Sequence, residues 1–217
     1  MNDSPRSASR VTRYRIPAAR VRSEIVVKGS VFVGTVTQAP TEEDAQSFVA
    51  STAAEYADAS HNAWAYRISE MPQVFASSDD GEPGGTAGRP MLAVLKGSGL
   101  LEVVAVVTRY FGGTKLGTGG LVRAYSNAVR EALRALPTKE LVLHQLSCIS
   151  IGYGLYNDLR HLLPRYDVVI RKETFAGEVT MEIAVPYDRA EALATFLRDA
   201  TAGQLILQGT WMGDVYL

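Results

Sequence analysis

A glycine-rich segment with two basic residues, Arg109 and Lys115, and a third, Arg123, shortly after it is the part of this sequence that points most directly to chemistry. It runs from Arg109 to Gly120, follows an apolar stretch that ends at Thr108, and precedes an amphipathic stretch that begins at Leu121. This order predicts a strand, a loop and the start of a helix. Glycine lets the backbone approach a ligand closely, and a helix N-terminus offers unpaired N–H groups and a partial positive charge. The segment therefore predicts a site for a phosphate or another anion.

The residues expected to contact the anion are the cations, hydroxyls and glycines of this segment. They are Arg109, Gly112, Gly113, Thr114, Lys115, Gly117, Thr118, Gly119, Gly120 and Arg123. Neither a Gly-Lys-Ser/Thr sequence at the helix start nor a GxGxxG spacing is present, so the common nucleotide-binding motifs are not supported. The alternative is a tight strand-to-helix turn that binds nothing. Five glycines and three cations are more than such a turn requires, which favours the anion site.

A second glycine-rich loop also leads into a helix, and its charged residues are mainly acidic. Its candidate residues are Asp79, Asp80, Glu82, Gly85 and Thr86. The carboxylates could bind a hard cation such as magnesium, but turn and cap roles are the favoured interpretation, with Thr86 as a possible helix cap. A further possibility is that the acidic residues pair with Arg109 or Lys115 and shape the basic loop. No metal and no cofactor is expected.

The sequence does not contain the spacing of a catalytic triad or of a metal triad. It has three histidines and one cysteine, Cys148. A single cysteine excludes an internal disulfide framework and a zinc site with several cysteines from one chain. No catalytic residue is assigned, and a non-enzymatic protein is the favoured interpretation.

The composition is that of a globular protein with unevenly distributed charge. Of 217 residues, 47% are hydrophobic and 21% charged, and the formal net charge is −1. This composition excludes wholesale disorder, and the near-neutral total excludes a uniformly basic surface. Up to Ser23, six arginines stand against one aspartate, so an anionic partner is expected to meet the N-terminal part first. No stretch approaches the roughly 20 apolar residues that span a bilayer, and no signal-peptide core is seen, so a cytoplasmic protein is expected.

The hydrophobic pattern predicts an α+β protein with two domains. In the first part, strands are expected at 24–27, 31–36, 62–69 and 101–108, and helices at 42–58, 87–96 and 121–136. The remainder predicts the βαββαβ order of a ferredoxin-like domain, with strands at 144–151, 167–174, 178–185 and 204–211 and helices at 155–163 and 189–199. The expected organisation is a disordered basic tail at 1–13, one domain at 14–138 and a second at 141–217.

Several motifs of this sequence resemble the signature of the YigZ/IMPACT family. The residues that carry the resemblance are Glu24, Lys28, Ser30 and Phe32, then His61, Asn62 and Trp64, then the loop at 79–90 and the segment at 109–121. The resemblance covers residues 14–217, because the second part is similar to the second domain of the bacterial YigZ branch. It implies a first domain with the fold of a ribosomal small-subunit protein domain. It implies a second domain like a terminal domain of elongation factor G.

The resemblance also implies a role in translation. In eukaryotic relatives the shared domain belongs to a translation regulator that competes for the activator of a stress kinase. The expected function is therefore a non-enzymatic, cytoplasmic regulator of translation that binds RNA or a ribosome-associated factor through the basic loop. The alternatives are an enzyme or binding protein for a phosphorylated small molecule, and a pure protein-interaction module. The sequence does not indicate an oligomeric state.

Overall fold

The computed structural model describes residues 12–69, 72–200 and 213–216. These residues form an α+β protein with two sheets and five α-helices, which confirms the predicted class. They divide into two compact units. The first unit contains Tyr14–Glu140, and the second contains the described residues up to Arg13 and those from Leu141 onward. Within the described residues, no helix has the length and apolar character needed to cross a bilayer.

The elements up to residue 135 are six strands and three helices. The strands are β1 (Arg13–Pro17), β2 (Val21–Val27), β3 (Ser30–Gln38), β4 (His61–Ser69), β5 (Val74–Ser78) and β6 (Val103–Tyr110). The helices are α1 (Glu42–Glu55), α2 (Gly88–Ser98) and α3 (Thr118–Ala135).

The later elements are four strands and two helices, with two short 3₁₀ turns. The strands are β7 (Thr138–Ile151), β8 (Val169–Phe175), β9 (Val179–Pro186) and β10 (Gly213–Tyr216). The helices are α4 (Tyr153–Leu162) and α5 (Ala190–Ala200), and the 3₁₀ turns are Leu163–Tyr166 and Tyr187–Arg189.

The first sheet is antiparallel and is covered by helices on both faces. Its order is β2-β3-β6-β4-β5. Successive residues of a strand point to opposite faces of the sheet. The apolar residues of the central strand β6 are therefore buried on both faces. Val103, Ala105 and Val107 pack in the core beneath α2 and α3. Val104 packs in the second cluster, with Ala45 of α1. This arrangement fixes β6 rigidly, so the loop that follows it starts from a defined position.

The second sheet has the order β1-β7-β9-β8, and β10 also pairs with β7. Its core lies between the strands and the helices α4 and α5. The largest fully buried side chains of this core are Ile149, Leu163, Met181, Ile183, Leu193 and Leu197. The described residues therefore form three buried hydrophobic clusters, two on the opposite faces of the first sheet and one in the second unit.

The structure differs from the expected elements at several boundaries. Arg13, expected in the tail, begins β1, and residues 1–11 of that tail lie outside the described residues. Residues 139–140, which lie between the two expected domains, belong to the continuous strand β7 together with Thr138. The expected strand at 204–211 also lies outside the described residues, and the strand β10 after it was not anticipated.

The regular elements on both sides of the basic loop extend further into it than the composition indicated. Strand β6 continues to Tyr110, and α3 begins at Thr118 rather than at Leu121. The serines of strand β5 carry no apolar alternation and are typical of a loop, yet the strand pairs with β4. The basic loop itself is reduced to residues 111–117.

A close approach of backbone to backbone sets the distance between α3 and the sheet. A Cβ added at Gly34 of β3 would lie 2.7 Å from the carbonyl oxygen of Ala128 in α3. We expect Gly34→Ala to lower the free energy of unfolding by about 1–3 kcal/mol, because extra volume in a packed core forces backbone shifts. The matched control is Gly97→Ala in α2, where an added Cβ meets nothing within 4 Å. Chemical denaturation of both variants measures the difference, and equal stability of the two would contradict this packing.

Candidate functional site

A buried ion pair lies directly beneath the basic loop. Arg109, near the end of β6, donates from Nη1 to Oε1 of Glu82 at 2.6 Å. The two side chains are only 6% and 2% exposed. The guanidinium carbon of Arg109 also lies 5.4 Å from the ring centroid of Phe32 and 5.5 Å from that of Phe111. Arg109 is therefore enclosed between two rings and a carboxylate.

This position of Arg109 corrects the expectation that it is an open anion ligand. Its guanidinium is neutralised by Glu82 and shielded from solvent, so it is not available to an incoming phosphate. The Nε atom of Arg109 is buried without a hydrogen-bond partner among the described residues. The pairing between the two glycine-rich loops, which the sequence left as one of three possibilities, is present in the structure.

The carboxylate of Glu82 joins four separate segments of the chain. It accepts the hydroxyl of Tyr125 in α3 at 2.7 Å, in addition to Arg109. Nε2 of His61, at the start of β4, lies 3.9 Å from its other oxygen. Burial raises the pKa of the Tyr125 hydroxyl, and its bond to Glu82 raises it further, so this hydroxyl stays protonated and donates. Strands β4 and β6, helix α3 and the acidic loop thus meet at one side chain.

The first residues of the basic loop are held by hydrogen bonds from their backbone N–H groups to serine side chains. The N–H of Phe111 donates to Oγ of Ser60, and that of Gly112 donates to Oγ of Ser30. A Cβ at Gly112 would lie 1.9 Å from the backbone carbon of Gly29, so only glycine fits there. Gly29 belongs to a two-residue hairpin turn, in which both Lys28 and Gly29 have positive φ. The turn is therefore packed against the loop.

Beyond Gly112, the loop is exposed and leads to an uncapped helix. Residues 113–115 and 117–119 are exposed. Helix α3 has Gly117 at its N-cap position, with no side-chain cap and no acidic residue in the first turn. The first N–H groups of a helix have no partner within it. An 18-residue helix thus presents free N–H donors and its positive dipole end beside the loop.

Two of the predicted cations remain available at this helix end. Lys115 and Arg123 are exposed. Nη1 of Arg123 lies 3.9 Å from the position that a Cβ on Gly119 would take, so this guanidinium reaches back over the first turn of α3. Neither side chain forms an ion pair within the part of the chain that the structure describes. Both charges are therefore free to meet an anion.

Sequence reasoning missed one cation that the fold brings to the loop. Lys28 lies in the β2–β3 turn that packs against Gly112, and it is exposed. It is separated from Lys115 by 87 positions in the sequence. The usable signal was the glycine of the Lys28-Gly29 pair between two β-like stretches, which indicates a turn. The contact between that hairpin and the loop is a tertiary feature.

The acidic loop has a structural role, and the structure identifies the helix cap. Asp79 accepts three backbone N–H groups, from Gly85, Ala87 and Gly88 at the start of α2. Thr86, expected as a possible cap, instead donates its hydroxyl to the carbonyl of Pro83. The favoured turn and cap interpretation therefore holds for Asp79. The physical reason is that Asp79, nine positions before the first residue of α2, reaches the helix because the loop between them folds back.

The remaining acidic side chains are also occupied within the fold. Asp80 accepts the backbone N–H of Asn62 in β4 at 2.6 Å, and its carbonyl lies 2.7 Å from Nδ1 of His61. Among the described residues, no group of three or more acidic, histidine or cysteine side chains is arranged to hold a metal ion. The magnesium alternative has no support from this geometry, because the carboxylates bind protein N–H groups and Arg109.

The buried pair is expected to contribute strongly to stability. Glu82→Gln retains the shape of the side chain but leaves the Arg109 charge uncompensated. Breaking a buried pair from one side costs about 3–5 kcal/mol. The control is Glu131→Gln, which breaks the ion pair of Glu131 with the exposed Arg134. Breaking an exposed ion pair costs at most about 1 kcal/mol. Urea denaturation of both variants measures the difference, and a small equal effect would show that the pair is not a structural requirement.

The cap formed by Asp79 predicts a pH dependence of stability. Burial alone would raise the pKa of Asp79, but the backbone donors Gly85, Ala87 and Gly88 outweigh it and lower the pKa. The stabilisation is therefore present above the ordinary aspartate pKa of about 3.9 and is lost as the pH falls through the lowered folded value. We expect Asp79→Asn to be less stable at pH 7, by about 0.5–2 kcal/mol.

The same variant provides the test at low pH. The gap in unfolding midpoint between the natural chain and Asp79→Asn should narrow as the pH falls below 4, because only the natural chain loses a carboxylate there. Asp44→Asn in the capping box of α1 serves as a cap variant at a distant helix. A gap for Asp79→Asn that stays constant from pH 7 to pH 3 would contradict the lowered pKa.

Comparison with known proteins gives concordant matches. Residues 28–133 match the family described as the Impact N-terminal domain, and residues 149–204 match a domain of unknown function, DUF1949. An IMPACT family member of Haemophilus influenzae is 35% identical over 207 residues, which cover 94% of this chain and 100% of the relative. The IMPACT family member YigZ of Escherichia coli is 40% identical over 199 residues, covering 89% and 96%. A crystal structure described as that of a hypothetical protein has a TM-score of 0.61 and 37% identity, covering 90% and 96%.

Proposed function

The chain belongs to the YigZ/IMPACT family, and we propose that it is a cytoplasmic, non-enzymatic regulator of translation that binds RNA through its glycine-rich basic loop. The translational role is supported by the resemblance of the sequence motifs to a family that includes a eukaryotic translation regulator. The RNA ligand is supported by the chemistry of the loop itself.

The observation that carries the proposal is the open N-terminus of α3 beside three free cations. The first turn of α3 has no side-chain cap and no acidic residue. Lys28, Lys115 and Arg123 are exposed. Free N–H groups and a helix dipole favour a phosphate, and lysine and arginine side chains neutralise the neighbouring phosphates of a strand. The three cations belong to a turn, a loop and a helix, so they present charge over an area wider than one phosphate.

The composition of the loop favours contacts to the RNA backbone over base recognition. Thr114 and Thr118 are exposed and can donate hydroxyl hydrogen bonds to phosphate oxygens. Phe111 is the aromatic residue of the loop; it is 50% exposed and stacks on Arg109. Phosphate contacts position a ligand without reading its sequence. The binding is therefore proposed to depend on charge and salt more than on base sequence.

The proposed domain folds are consistent with such a ligand. The second unit has the element order β7-α4-β8-β9-α5-β10, and the order of these strands in its sheet is β10-β7-β9-β8. This order supports the proposed ferredoxin-like assignment and the likeness to a terminal domain of elongation factor G. The first unit is proposed to share the fold of a ribosomal small-subunit protein domain. Fold likeness raises the prior for RNA binding and does not by itself assign it.

Replacing Lys115 and Arg123 is expected to reduce the dependence of RNA binding on salt concentration. Lys115→Ala with Arg123→Ala should weaken the binding of a fluorescent single-stranded RNA and flatten its dependence on salt. For single strands, the slope of log K against log salt falls by about 0.7 for each phosphate that the protein no longer neutralises. Fluorescence anisotropy over a range of potassium chloride concentrations measures both quantities.

The control is Arg171→Ala in β8, an exposed arginine of the second unit. It should leave both affinity and slope unchanged. Unchanged RNA binding in the double variant would contradict the proposed loop site. Inorganic phosphate, ATP and GTP are tested in parallel by thermal shift. Stabilisation by a nucleotide without any RNA binding would favour the small-molecule alternative.

Two glycines of the loop separate anion contact from turn formation. Gly113 has a φ of +84°, so Gly113→Ala should cost about 1–2 kcal/mol of stability. Gly119 lies in the first turn of α3, and a Cβ there meets only Nη1 of Arg123, at 3.9 Å. Gly119→Ala should therefore keep normal stability but weaken RNA binding, because the methyl group crowds the open N–H groups. Thermal unfolding and anisotropy on both variants measure this, and normal RNA affinity of Gly119→Ala would count against the helix N-terminus as the contact.

A further inference from the structure

An apolar groove runs along the outer side of the two helices that cover the first sheet. It has a volume of about 660 Å³ and lies between α2 and α3. Its lining includes Pro90, Ala93 and Val94 of α2, and Val122, Arg130, Leu133 and Arg134 of α3. Val94 and Leu133 also pack against the core beneath, so the floor of the groove is supported from inside. The groove is separate from the Lys115–Arg123 site at the start of α3.

The groove combines apolar side chains with water-exposed positions. Val122 is 36% exposed and Ala93 is exposed, while Pro90, Val94 and Leu133 are half-buried. Solvent-accessible apolar side chains along two neighbouring helices form the kind of surface that an amphipathic helix covers. From Val122 to Arg134 the groove follows α3 for about 18 Å at 1.5 Å per residue, which is roughly three helical turns.

The charge around the groove selects the partner. Helices α2 and α3 carry five basic residues, Arg89, Lys96, Arg123, Arg130 and Arg134, and one acidic residue, Glu131. Arg130 lines the groove and donates to the amide oxygen of Asn127, and it forms no ion pair with a described carboxylate. Arg134 is exposed and is paired with Glu131 on its own helix. An acidic partner gains a favourable interaction here, and a basic one is repelled.

We propose that this groove is a docking site for an acidic amphipathic helix of a partner protein. Apolar residues of that helix at i, i+4, i+7 and i+11 span about 16 Å and contact Val94, Val122 and Leu133, and its flanking carboxylates meet Arg130 and Arg134. The arginine-rich start of this chain does not fit the groove, because its charge has the same sign. The lining contains no aromatic side chain on which a base could stack, which favours a peptide over RNA at this surface.

The test uses the full chain and two fluorescein-labelled helical peptides of about 14 residues. Both carry leucine at i, i+4, i+7 and i+11, and they differ only in flanking glutamates or flanking lysines. We expect saturable binding of the glutamate peptide, measured by fluorescence anisotropy, and binding of the lysine peptide at least tenfold weaker. Val122→Asn should weaken binding of the glutamate peptide at least tenfold. Val26→Asn, at an apolar side chain of β2 that is 63% exposed, should leave it unchanged.

Charge reversal provides the second readout. The double variant Arg130→Glu with Arg134→Glu should no longer bind the glutamate peptide and should bind the lysine peptide. Arg171→Glu should change the affinity for neither peptide. Failure of both peptides to bind the natural chain would overturn the proposal. Loss of RNA affinity in the double variant, with no effect of Val122→Asn on either ligand, would assign the surface to nucleic acid instead. A dimer of the natural chain in sedimentation that Val122→Asn dissociates would assign it to a second copy and overturn the proposal as well.

Discussion

The buried pair between Glu82 and Arg109 is the interaction on which the arrangement of the first unit depends. The burial of two charges is tolerated when they face each other and most of their hydrogen-bonding groups are satisfied. Glu82 meets that condition by accepting both Arg109 and Tyr125. Because these partners come from β6 and α3, and Glu82 from the acidic loop, one carboxylate fixes the relative positions of all three. The loop between β6 and α3 is then anchored at both of its ends.

Anchoring of this kind explains how charged residues are divided between two roles. Arg109 and Glu82 are buried and neutralise each other, while the half-buried Asp79 and the exposed Asp80 accept backbone N–H groups of the fold. Lys115 and Arg123 are left outside, without carboxylate partners among the described residues. An acidic loop that lies close to a basic one therefore does not cancel it. It neutralises the inner charge and leaves the outer ones exposed to solvent.

The fold was largely predictable from the sequence because its apolar periodicity is strong. The buried run of β6 and the amphipathic face of α3 predicted a central strand and a covering helix, and both are present. Boundaries were less accurate where glycine and serine dominate, as in β5 and the first turn of α3. Glycine-rich composition is typical of a loop, yet α3 begins at Thr118, inside the glycine-rich stretch.

The candidate site was predictable only in part, because its members are assigned by tertiary contacts. Composition placed Lys115 and Arg123 correctly beside a helix start. It could not show that Arg109 is buried, since that depends on a partner 27 positions away. It also could not show that Asp79 rather than Thr86 satisfies the start of α2, or that Lys28 reaches the loop across a hairpin. Each of these requires knowledge of which segments fold against each other.

We propose that anchoring by the buried pair leaves the first N–H groups of α3 open to a phosphate. A backbone amide NMR titration of the full chain with a short single-stranded RNA tests this contact residue by residue. We expect the amides of Thr118, Gly119 and Gly120 to shift together with that of Lys115, and the shifts to shrink as salt is raised. RNA binding that shifts amides elsewhere and leaves these four unchanged would rule out the contact.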